Sequence, residues 1–133
     1  MAVNLSGNWR FVESENFDAF LEALGSVDPA MRQVAKSANP RETIQQDGDT
    51  FNIKTIAGKT TEIKFKVGQE FEGEIQQGEV KISPTWDGSK LRFEFDSPKG
   101  KQVQEREVRA DGRLYLVLTA PDGTKSTRIF AKE

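Results

Sequence analysis

Neither cysteine nor histidine occurs among the 133 residues. Without cysteine there is no disulfide, no thiolate nucleophile and no sulfur-ligated metal. Without histidine the commonest metal ligand and the usual general base are missing, and every Ser–His or Cys–His nucleophile arrangement falls away. Metal-ligand spacings and glycine-rich phosphate loops are absent too. No window approaches the ~18 consecutive apolar residues of a membrane span. The first six residues lack the charged and apolar regions of a signal peptide, so a cytoplasmic protein is expected. Neither charge sign dominates: 19 Lys+Arg face 21 Asp+Glu, for a net charge of −2. That balance lacks the basic footprint of a nucleic-acid binder, and no nucleic-acid partner is expected.

What is present is rhythm. Glycines recur at 48, 58, 68, 78, 88, 100, 112 and 123, with gaps of 10, 10, 10, 10, 12, 12 and 11 residues. Four follow aspartate (Asp47-Gly48, Asp87-Gly88, Asp111-Gly112, Asp122-Gly123), a pair suited to tight hairpin turns. Short alternating segments lie between them. Their apolar phases are Phe51/Ile53, Ile63/Phe65/Val67, Val80/Ile82, Leu91/Phe93/Phe95 and Leu114/Leu116/Leu118. Evenly spaced strands joined by tight turns make a meander. A meander this long exposes its edges unless it closes, so an up-and-down barrel is expected over a single domain, 1–133. A hydrophobic fraction of 35% suits a barrel lined partly by polar groups. A barrel of this size is either filled by side chains or holds a ligand.

Before the meander, residues 5–13 read as a first strand with Trp9 and Phe11 on one face. Both tryptophans, Trp9 and Trp86, are expected in the core or barrel wall. Ser14 is a candidate cap for a helix over 15–24, where Phe17, Phe20, Leu21 and Leu24 form a stripe at helical period. Asp28-Pro29 opens a second short helix over 29–37, with Met31, Val34 and Ala35 inward. Arg32 and Lys36 on that helix suit a solvated face, and are also candidates for transient contact with an anionic membrane surface.

Two arginines break the pattern of outward charge. Arg106 shares its phase with Gln102, Gln104 and Val108, and Arg128 shares its phase with Ser126 and Phe130. If Val108 and Phe130 face inward, both guanidiniums do too, each offering a planar fork of donors that matches a carboxylate. A buried cation then requires a counter-charge, ordered water or a ligand. Phase also admits the opposite reading, with both arginines in solvent beside Glu105 or Glu107, because Val103 and Ile129 make the other face apolar.

The residues resemble those of a known family. Gly7-Asn8-Trp9-Arg10-Phe11 with Glu15-Asn16-Phe17-Asp18 is similar to the N-terminal signature of the intracellular lipid-binding proteins, comprising fatty-acid-binding and cellular retinol- and retinoic-acid-binding proteins. The resemblance continues through 46–51, 60–72 and Ser126-Thr127-Arg128-Ile129-Phe130, and several motifs read closest to the retinoic-acid-binding branch. It implies a ten-stranded antiparallel β-barrel (a β-clam of two nearly orthogonal five-stranded sheets) with a two-helix lid after the first strand. It implies a monomeric, non-enzymatic carrier without cofactor, binding a long-chain fatty acid or, alternatively, retinoic acid or another retinoid.

The resemblance also assigns residues. Arg106 and Arg128 match two interior arginines that hold the ligand carboxylate, while Phe130 stands where carboxylate-binding members have tyrosine. Gln104 stands where the retinoic-acid branch usually has tryptophan, and Lys59 where it has a portal arginine. The alkyl chain is expected against Phe17, Met31 and Ala35. Retinol is disfavoured, because retinol-binding members replace the arginines with glutamine. Two other classes compete: a filled structural module that takes up no lipid, and a secreted lipocalin-type carrier.

Overall fold

A computed structural model describes residues 4–24, 40–57, 59–75, 78–97 and 100–133. Its elements run β1 (Gly7–Glu15), α1 (Phe17–Leu24), β2 (Arg41–Asp47), β3 (Thr50–Ala57), β4 (Lys59–Lys66), β5 (Phe71–Ile75), β6 (Gly78–Asp87), β7 (Lys90–Ser97), β8 (Gly100–Val108), β9 (Leu114–Thr119) and β10 (Lys125–Lys132). The strands form one antiparallel sheet of ten in the order β4-β3-β2-β1-β10-β9-β8-β7-β6-β5. The up-and-down barrel expected from the glycine rhythm is therefore present.

The turn chemistry sets the register. Asp47 pairs with Thr50 and Asp87 with Lys90, leaving two-residue loops opened by Gly48 (φ 60°) and Gly88 (φ 61°). A side chain at either glycine would force a left-handed backbone that L-residues resist. Strands β2, β3, β7 and β9 then alternate, sending one phase inward. Phe51, Ile53, Phe93, Leu91 and Leu114 are all buried, as the alternation predicts.

Two details depart from expectation at the N-terminal end. The first strand runs two residues further than 5–13, through Glu15, so Ser14 is a strand residue and not the helix cap. The chain turns instead at Asn16, whose φ of 59° is the left-handed value that asparagine tolerates, and whose carbonyl accepts from the Phe20 amide at 3.2 Å. The second departure lies in the ladder. β1 pairs with β2 over Gly7–Arg10 and with β10 over Trp9–Glu15, with a register shift between Phe11 and Glu13. Hydrogen bonding therefore runs continuously through β1, and the two five-stranded halves are parts of one sheet. A bulge of this kind bends a strand and increases its twist, which helps the sheet curl. The expected second helix, over 29–37, lies outside the described residues.

The terminal strands β4 and β5 meet through side chains. Phe65 and Phe71 stack at 4.8 Å between ring centroids, and Phe65 meets Phe93 edge-on at 5.1 Å. Pairs of this kind contribute about 0.5–1.5 kcal/mol each beyond their buried area. A Cβ at Gly73 on β5 would lie 2.6 Å from Ile82 Cδ1, so the isoleucine side chain would have to shift to admit one. α1 packs on β10 and buries Phe17 and Phe20. Trp9 is buried and donates its indole N–H to the Leu5 carbonyl at 3.1 Å. Trp86 is partly buried and donates to Asp49 Oδ1 at 2.9 Å.

Candidate functional site

The interior polar groups come from β2, β8 and β10. Arg106 on β8 is in register with Leu91 on β7 and Leu116 on β9, and Leu116 is in register with Arg128 on β10. Leu91 and Leu116 are buried, so both arginines share the inward face of one row. The solvent-facing alternative is excluded by this register. Two strand spacings separate their backbones by about 10 Å.

Arg106 is 6% exposed, and its counter-charge belongs to the protein. Its Nε donates to Glu42 Oε1 and an Nη to Oε2, both at 3.1 Å. Glu42 is itself 3% exposed. It sits on β2, in register with Trp9 on β1 and Thr55 on β3. Three strands, β1, β10 and β9, lie between β2 and β8 in the sheet order, so this fork-to-fork pair spans the lumen. The Arg106 guanidinium also lies 5.3 Å from the Phe93 ring centroid.

Arg128 is held differently. Its guanidinium stands 4.8 Å from the Phe11 ring and 4.3 Å from the Phe17 ring. Contacts with aromatic faces stabilise a cation without removing its charge. Its Nε is buried with no hydrogen-bond partner. Burial lowers the guanidinium pKa, and the negative charge of Glu42 acts in the opposite direction. Arginine nevertheless remains protonated in proteins. Two guanidiniums and one carboxylate leave this cluster at 2 − 1 = +1.

The other expected site residues fall as follows. Phe17 covers Arg128 from the start of α1. Phe130 is 1% exposed and meets Phe11 edge-on at 5.9 Å, with its ring two residues beyond Arg128 on the same face. Gln104 is partly buried in the inward phase of β8, two residues before Arg106. Met31, Ala35 and the Lys59 side chain lie outside the described residues, as do Arg32 and Lys36. Among the described residues no cluster of acidic side chains has metal-binding geometry, and no helix is long and apolar enough to cross a membrane. The residue that sequence reasoning missed is Glu42. Its signal was available, because it stands two positions before the buried Ile44 and shares its phase.

The barrel thus encloses a cationic cluster among aromatic rings. The family model described as the lipocalin/cytosolic fatty-acid binding protein family matches residues 6–127, and the chain belongs to that family of lipid-binding carriers. Among curated relatives, cellular retinoic acid-binding protein 2 of Mus musculus is 42% identical over 138 residues, covering 98% of this chain and 99% of the relative. Sodium/calcium exchanger regulatory protein 1 of Doryteuthis pealeii is 37% identical, covering 99% of this chain and 98% of the relative. Among solved structures, the REP1-NXSQ fatty acid transporter superposes with a TM-score of 0.88 at 34% identity, covering 97% of this chain and 96% of that one.

Proposed function

We propose that this protein carries an amphiphilic monocarboxylate inside the cell as a monomer, with the acid group at Arg128 beside the Arg106–Glu42 pair. The observation that carries this reading is Arg128, a lumenal cation that no carboxylate among the described residues pairs with directly. Arg128 offers a buried Nε without an acceptor, between two aromatic rings. A carboxylate supplies the missing acceptor and brings the cluster to neutrality. The apolar body of the ligand lies against Phe17 and the inward aliphatic side chains of the barrel. Each CH₂ removed from water there contributes about 0.8 kcal/mol.

Retinoic acid is the first candidate, supported by relatives 40–42% identical that are named for binding it. This reverses the order expected from the sequence, where Gln104 and Lys59 depart from the retinoic-acid branch and Phe130 from the carboxylate-binding members. The fatty-acid reading keeps its own support in the structural likeness to a fatty acid transporter.

The test is fluorescence titration with all-trans retinoic acid, oleate and their methyl esters. Charged hydrogen bonds of this kind are worth about 1.5–3 kcal/mol. Arg128→Gln should therefore weaken binding of the preferred acid at least tenfold and affect its ester by less than threefold. Equal losses for acid and ester would remove the head-group assignment. The preference of the unmodified protein between the two acids decides the ligand.

A further inference from the structure

We infer that Glu42 is a specificity-determining residue, an internal carboxylate that occupies Arg106 and confines the acid of an incoming lipid to Arg128. The inference rests on the carboxylate-carrier reading and adds a role for a residue that reading does not require.

Three observations carry it. The contact is bidentate, so both Glu42 oxygens face Arg106 and occupy the Nε–Nη edge of its guanidinium. Both side chains are almost fully enclosed, at 3% and 7% exposure. The contact also crosses the lumen from β2 to β8, so it stands in the space that a ligand shares. An acid that took Arg106 would expel Glu42 into apolar surroundings, leaving two carboxylates near each other. Like charges so placed are costly in a low-dielectric interior. Glu42 thus competes with the ligand for Arg106, and the lumen accepts one negative charge in place of two.

The competition predicts a rescue pattern. Glu42→Gln keeps the side-chain shape and removes the charge, so Arg106 becomes a second free cation. Binding of retinoic acid or oleate should tighten about tenfold or more, while the methyl esters change less than threefold. Arg106→Gln does the reverse: it releases the Glu42 charge beside Arg128, and acid binding should weaken about tenfold or more. Adding E42Q to R106Q removes that released charge and should recover at least tenfold in acid affinity relative to R106Q. The double variant also serves if E42Q alone fails to fold, because it contains no uncompensated charge at the pair.

The experiment is acid and ester titration of all four proteins with R128Q alongside. Recovery in the double variant supports the inference. If R106Q weakens acid binding and E42Q does not restore it, Arg106 contacts the ligand directly and the inference is overturned. It is equally overturned if E42Q binds acids more weakly than the unmodified protein. Failure of the unmodified protein to bind either acid overturns the carrier reading itself. Acid binding that depends on Arg128 but ignores Glu42 overturns this inference alone.

Discussion

Truncating one member of the lumen-spanning pair should cost more than removing both. Glu42→Leu leaves the Arg106 guanidinium enclosed at 7% side-chain exposure with its two 3.1 Å acceptors gone. Breaking a buried pair this way costs about 3–5 kcal/mol, whereas exchanging both partners for apolar groups of similar volume is often neutral or stabilising. Unfolding entropy near 2.1 cal/mol/K per residue gives roughly 0.28 kcal/mol/K for a chain of 133 residues. Each single change, Glu42→Leu or Arg106→Met, should lower Tm by about 10–18 °C. The Glu42→Leu/Arg106→Met protein should lie within about 5 °C of the original. Thermal melts and urea titrations of the four proteins without lipid complete the cycle. Additive losses, with the double variant worse than either single one, would refute the reasoning and show that the two side chains contribute independently.

Two further outcomes follow from local contacts. Phe130→Tyr adds a hydroxyl on the face that carries Arg128, and a net hydrogen bond of about 0.5–1.5 kcal/mol should tighten acid binding roughly two- to tenfold, with no gain for the ester. An equal gain for the ester would show that the ring and not the hydroxyl is responsible. Outside the barrel, the Tyr115 hydroxyl donates to Asp111 and holds that carboxyl below its ordinary 3.8, with the Arg113 amide adding to the effect. The same bond raises the Tyr115 phenol above its ordinary 10.0. Asp111, depressed in the fold, contributes stability above the ordinary carboxyl value that is lost on acidification. Tyr115, raised in the fold, contributes stability below its ordinary value that is lost as pH rises. The stability gap between the original protein and Tyr115→Phe should therefore be widest between those limits and narrow on both sides. A gap independent of pH, measured by urea unfolding across the range, would contradict this.

The barrel was legible because its signals are local. At Asp47-Gly48 and Asp87-Gly88 four adjacent residues set a two-residue loop, and period-2 alternation assigns a strand its inner face without knowledge of its neighbours. The start of α1 was harder. Ser14 and Asn16 both suit the end of a strand, and the choice between them rests on how far β1 pairs with β10. That pairing is settled by Ser126, whose hydroxyl donates to the Glu15 carbonyl at 2.8 Å, and by Asn16 Nδ2, which donates to the Lys125 carbonyl at 2.9 Å. Both partners lie more than 100 residues away along the chain.

The site was legible only by half, and the division has a physical basis. A buried guanidinium demands compensation, and that demand could be read from the inward phase of Arg106 and Arg128. What supplies the compensation depends on which side chain stands opposite across the lumen, and phase within a strand carries no such information. Arg106 meets the carboxylate of Glu42, 64 positions away. Arg128 meets the faces of Phe11 and Phe17, which steady its charge and cannot cancel it. Two arginines that look equivalent in the sequence are therefore unequal in the fold. One is matched by a carboxylate of the protein, and the other keeps a buried Nε without a hydrogen-bond partner.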